Sequence, residues 1–117
     1  MSDYHRPPGK TTVSPDVLIT IARMAALSVP GVNAMAPVSG GVDRFLRKGQ
    51  NQGIRINIHE NVVTGDIFVI VDGGVNIREV GRTVQEQVAR AIQEMVGMDV
   101  AQLDVHIENI EYEGPEA

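Results

Sequence analysis

From Asp66 to Met95 the apolar positions fall into two patterns in succession: a continuous run at Ile67–Val71 and, after a glycine turn, a helical period. At about 100° per residue, Ile77, Val80, Val84, Val88, Ala91, Ile92 and Met95 share an arc of roughly 120°, while Arg78, Arg82, Glu86, Arg90 and Glu94 fill the other side. This predicts a strand feeding a long helix with one core face and one solvent face. The helix start is marked by Asn76 as cap, Glu79 completing a capping box, and Val75 with Val80 as a hydrophobic staple. Gly97 is placed to end it, and Gly81, inside the apolar arc, is expected to let the helix approach a sheet closely.

Upstream, Ser14–Pro15–Asp16 predicts another helix: a capping hydroxyl, a proline where no donor is missed, and an acid at the positive end of the dipole. Pro30–Gly31 should stop it near Val29, with Val17, Leu18, Ile21, Ala22, Ala25 and Val29 on its inner arc. The outer arc is unusual, because Ile19, Ala26 and Leu27 stand there beside Thr20 and Arg23 with little charge to keep that side wet. Something is expected to cover it.

Period-2 alternation supplies the strands. Gly31–Ala36 alternates weakly and stops at Pro37, as a short edge strand would; Ile54–His59 alternates cleanly, and Glu60–Asn61 is a turn signal. The next strand begins at Val62 and crosses Gly65, expected to mark a bulge. It then becomes the apolar run, with Ile67, Val69 and Val71 facing one way and Phe68 and Ile70 the other. Both faces of that strand ask for cover, so it should be central. Leu103–Glu108 follows a strand and a helix and should therefore run parallel to it. The order α-β-β-β-α-β predicts an α+β fold, a single two-layer domain with two helices packed on one face of a mixed sheet. Residues 1–12 read as a flexible arm, 13–111 as the domain with a mobile basic loop at 38–52, and 112–117 as an acidic tail.

Composition narrows the function classes. A chain of 117 residues can bury roughly two thirds of its surface without covalent staples, and the absence of cysteine removes disulfides, thiolate metal sites and thiol nucleophiles. A net charge of −5 with two Tyr and two Phe argues against broad phosphate attraction and base stacking. No apolar run approaches the ~20 residues of a membrane span.

Candidate chemistry is sparse. His59, Glu60, His106 and Glu108 could suggest a metal or acid–base site, but no third ligand at useful spacing accompanies them, and solvent-facing strand residues are the favoured reading. Asp72–Asn76 joins a strand to a helix N-terminus, yet it lacks the spaced glycines or lysine of a phosphate loop, and Asp72 would repel an anion. No serine occupies a strand-to-helix elbow. What remains are candidate partner-binding residues: Ile19, Arg23 and Leu27 on the first helix, Arg44, Phe45, Leu46, Arg47 and Lys48 in the basic loop, and Phe68 and Ile70 on the central strand. No catalytic, cofactor-binding or metal-ligating residue is assigned.

Several segments carry a resemblance: Val13–Val17 leading to Ile21–Ala22, Val29–Val32, Gly74–Val80, Val84–Gln85, Met95–Met98 and Val105–Ile107. Over residues 12–111 the chain resembles the bacterial alkaline-shock/Gls24 envelope stress response family. It departs from that pattern in the basic loop and at Gly73–Gly74, where a bulkier residue is common. The resemblance implies a non-enzymatic cytoplasmic protein without a cofactor, tied to cell-envelope stress. Some members are held at the inner face of the membrane by a small membrane-anchored partner, and others are linked to the control of fatty-acid synthesis. With the apolar surfaces above, it points to a scaffold or binding protein that also self-associates. The rival readings are a nucleic-acid binder through Arg44, Arg47, Lys48 and Arg55, and a metal enzyme through His59 and His106.

Overall fold

The computed structural model describes residues 8–38 and 53–112, and the expectations for residues 1–7, 39–52 and 113–117 lie outside them. The described elements are α1 (Pro15–Leu27), β1 (Val32–Met35), β2 (Ile54–His59), β3 (Val62–Asp72), α2 (Ile77–Val96) and β4 (Asp99–Glu111), in the predicted order. β3 is the central strand. Along one edge it pairs in parallel with β4 over its whole length; along the other it pairs antiparallel first with β2, from Val62 to Ile67, and then with β1, from Val69 to Val71. β1 and β2 thus share one edge end to end, and the mixed sheet is three strands wide at any level.

The β2–β3 hairpin is closed by Glu60 (φ 51°) and Asn61 (φ 69°), two residues in the left-handed region, as a tight hairpin turn twisted like its strands requires. At the far end of β3 the Asn76 side chain accepts the Glu79 amide at 3.0 Å and starts α2. Gly97, at φ 79°, ends α2 by donating its N–H to the Ile92 and Gln93 carbonyls, a conformation that glycine adopts without strain. Ser14 does not cap α1 with its hydroxyl; its carbonyl takes the Val17 N–H at 3.0 Å instead.

One face of the sheet carries the core. Val63, Ile67, Val69 and Val71 of β3, Ile54 of β2 and Leu103 of β4 are buried with Leu18, Ile19, Ile21, Ala22 and Ala26 of α1 and Val80, Val84, Val88 and Ile92 of α2. α1 touches α2, β1 and β2, whereas α2 lies over β4. Each fully buried side chain of this kind contributes about 1.5–3 kcal/mol relative to exposure.

β4 begins at Asp99, four residues before the alternation becomes clean at Leu103. Its register slips against β3 between Val63 and Thr64 and between Val69 and Ile70, leaving Ala101 and Glu108 as extra residues. These bulges explain why Val100, Leu103, Val105, Ile107 and Ile110 all serve the core despite spacings that a regular strand would not tolerate. Gly65 is not a bulge: the β2–β3 register runs through it unbroken, and a Cβ there would overlap the Arg55 carbonyl oxygen. The glycine is a point of close backbone approach. Gly81, by contrast, has open space where its side chain would be, so it does not bring α2 closer to the sheet.

Two helix faces also differ from expectation. Ile77 and Met95 stand on the azimuth of the buried arc of α2 but are exposed, the first in the first turn of the helix and the second in its last. In α1 the buried arc is rotated by roughly 50°: Ile19 and Ala26 are in the core and Val17 is exposed. α1 ends at Leu27, and Val29 is buried from the following turn, so its place on the helical wheel carried no information about the helix face.

Candidate interaction surfaces

The rotation of α1 exposes a different set of side chains from the predicted one. Val17 (45% exposed), Met24 (64%) and Leu27 (44%), with exposed Thr20 among them, form a stripe directly opposite the core-facing side. α1 is therefore apolar nearly all round, a pattern expected of a helix covered on both sides. The solvent side of α2 is the contrast, with arginine and glutamate throughout and an Arg90–Glu94 pair at 3.5 Å.

Among the sequence-predicted partner residues, Arg23 is half-buried at the flank of this stripe and Leu27 is part of it. Ile19, only 9% exposed, belongs to the core and is corrected accordingly: α1 is wedged against both α2 and the β1–β2 edge, so its buried arc is wide enough to take in Ile19. Glutamate at this position would bury an unpaired charge. Met24 and Val17 were missed, the first overlooked and the second assigned to the core. Arg44, Phe45, Leu46, Arg47 and Lys48 lie outside the described residues.

Phe68 and Ile70 do point to the face of the sheet away from the helices, as the alternation requires. Phe68 is nevertheless buried, at 3% exposed, and Ile70 half-buried; the expectation was that a second protein surface or the Phe45–Leu46 loop would cover them, and that loop lies outside the described residues. Its ring stacks on His106 with centroids 4.6 Å apart and planes 15° apart, and the Arg55 guanidinium lies 5.5 Å from its centroid. Asp66 ties the cluster together, hydrogen-bonded to His106 Nε2 at 2.9 Å and ion-paired with Arg55, whose Nε lies at 3.4 Å. Cross-strand pairing places these groups: Arg55 is opposite Asp66, and His106 is beside Phe68. The Arg55 guanidinium, on a side chain still 47% exposed, lies between a carboxylate and a ring.

His59 and His106 are not brought together. His59 pairs with Val62 at one end of β3 and His106 with Phe68 towards the other, on strands at opposite edges. Among the described residues no group of three or more His, Asp or Glu could hold a metal ion. In the turn before α2, Gly73 N–H donates to the Glu111 carbonyl at 3.0 Å, and the Asp72 carboxylate accepts from Asn33 Nδ2 at 3.0 Å. Gly73 lies under the Tyr112 ring, where a Cβ would overlap it. That contact gives the glycine a reason of its own, and the Gly73 N–H is used inside the chain. A shallow hollow of about 380 Å³ between α2 and β4 is spanned by Gln85 Nε2 donating to the Leu103 carbonyl at 2.9 Å. It gathers no set of convergent charges.

By its fold this is a two-layer α+β domain with both helices on one side of a four-stranded mixed sheet. The chain belongs to the alkaline-shock protein 23 family, whose function is cell envelope-related and whose profile matches residues 4–112. Among similar proteins, YqhY of Bacillus subtilis is 29% identical over 107 residues, covering 90% of this chain and 79% of that protein. YloU of the same organism is 24% identical over 111 residues and covers 92% of each. Solved structures of the MamM CTD share the fold: a nickel form of one variant gives a TM-score of 0.58 at 18% identity, over 82% of this chain and 99% of the other. A copper form of another gives 0.60 at 18% identity, over 84% and 100%. Among the described residues, no helix is long and apolar enough to cross a membrane.

Proposed function

We propose that this protein is a non-enzymatic scaffold of the cell-envelope stress response, acting on the cytoplasmic side of the membrane by protein–protein association through the outer face of α1. The observation that carries this reading is the exposed stripe of Val17, Met24 and Leu27 on a helix whose opposite side is core. Side chains of this size, when covered, contribute the larger part of what holds an interface together. The family's cell envelope-related function supplies the setting. The net charge of −5 weighs against the nucleic-acid alternative.

Photocrosslinking from position 24 should yield discrete protein adducts in cells, whereas crosslinking from position 86, on the solvated side of α2, should yield none. In parallel, Met24→Glu with Leu27→Glu should move the protein from the membrane-associated to the soluble fraction. Its melting temperature should shift by no more than a few degrees, since exposed positions tolerate charge. Unchanged fractionation together with no adducts from position 24 would sink the proposal.

A further inference from the structure

α1 contains one acid and one base, Asp16 in its first turn and Arg23 two turns on, and nothing else that is charged. At about 100° per residue both project from the same flank of the exposed stripe, within roughly 20° of each other. The flank of the stripe thus carries an acid in the first turn of α1 and a base two turns on, beside Val17, Thr20, Met24 and Leu27. With no net charge it offers nothing for an anionic lipid surface or a strongly charged partner to recognise. It is, however, complementary to itself. When two identical helices pack antiparallel about a twofold axis perpendicular to both, like flanks meet, and each end of one helix lies beside the opposite end of the other.

We propose that the outer face of α1 is covered by α1 of a second copy, the two helices antiparallel about a twofold axis near Thr20. This rests on the reading of the stripe as the association surface and names its occupant. Asp16 then lies beside Arg23 of the partner subunit, and the pair is repeated by symmetry. Val17 meets Met24 of the partner subunit, so the bulky apolar groups fill the space on either side of the axis. Thr20 suits the crossing point for two reasons. It is small, and its hydroxyl already donates to the Asp16 carbonyl at 3.1 Å, so covering it leaves no donor without a partner. A parallel arrangement would instead set the Asp16–Arg23 flank of one helix beside the uncharged opposite flank of the other, leaving both charges without a partner across the interface. A single helix pair covers less than the ~800 Å² per partner of a standard interface, so the dimer should be weak and dependent on concentration.

Sedimentation equilibrium on the full chain, with thermal melts to confirm folding, tests this by charge exchange. Asp16→Arg and Arg23→Asp should each weaken dimerisation about tenfold, because each creates two like-charge contacts, and the double exchange should restore it to within about threefold of the parent. If Met24→Glu with Leu27→Glu abolishes the dimer but the double exchange does not rescue the single ones, the stripe is an interface and the twofold arrangement is wrong. A chain that stays monomeric at all concentrations also overturns the proposal. Adducts from position 24 to a different protein would then keep the stripe as an association surface with another occupant.

Discussion

Ile92→Ala should lower the unfolding free energy by about 2–5 kcal/mol, and Met95→Ala should change it by less than about 0.5 kcal/mol. The two residues are three apart on the same helix and both lie in the apolar arc read from the sequence. In the fold Ile92 is fully enclosed and Met95 is 70% exposed. Truncating Ile92 opens a cavity among packed side chains, because it lies in the same core cluster as Val88 and Leu103. Truncating Met95 removes methylenes that already face water. Urea unfolding of both variants at constant m-value resolves the difference, since a change in midpoint alone then reports stability. Equal losses at the two positions would mean that Met95 is packed on the domain rather than exposed.

The contrast shows what a helical wheel can and cannot tell. Azimuth says which way a side chain points, and along the middle of α2, where the sheet lies below, that decides burial for Val80, Val84, Val88 and Ile92. At Ile77 and Met95, in the end turns of the helix, the direction is right and the side chains are exposed all the same. Local signals carried the rest of the β3–α2 segment: the Asn76 cap, the Gly97 stop and the Glu60–Asn61 turn each act within a few residues, and each is where the sequence puts it. α1 was harder to read because its face is fixed by three other elements, α2, β1 and β2, two of them distant in the chain. Taking Val17 and Ala25 as inward set the inferred face towards Val17 and away from Ile19 and Ala26. The exposed stripe was therefore legible only as a property, an uncharged outer side, while its membership had to come from the packing. Phe68 was hidden for another reason. Nothing in a strand pattern reveals that a neighbouring imidazole will stack on its ring, since that depends on which residue of β4 the parallel register sets beside it.

Gly65→Ala should destabilise the fold by about 1–3 kcal/mol, and Gly81→Ala should stabilise it by about 0.5–1 kcal/mol. The same one-carbon change is predicted to act with opposite sign because the two glycines meet different surroundings. Gly65 is buried in the central strand, paired with Ile56 of β2, and an added Cβ would overlap the Arg55 carbonyl oxygen. Its other near contact, Ile56 Cδ1 at 3.3 Å, is the end of a flexible side chain that can turn aside. A backbone carbonyl cannot. Relief therefore requires β2 to move relative to β3, which strains the hairpin and lengthens the Arg55–Asp66 contact from 3.4 Å. Gly81 lies inside α2 with nothing within 4 Å of the added carbon, so alanine there removes unfolded-state entropy and improves helix propensity without a steric cost. Hydrogen exchange locates the first effect: in Gly65→Ala the β2 amides should lose protection before those of α2. A Gly65→Ala variant as stable as the parent would show that β2 and β3 are farther apart than described, and a loss of stability in Gly81→Ala would show that α2 packs more closely against its neighbours.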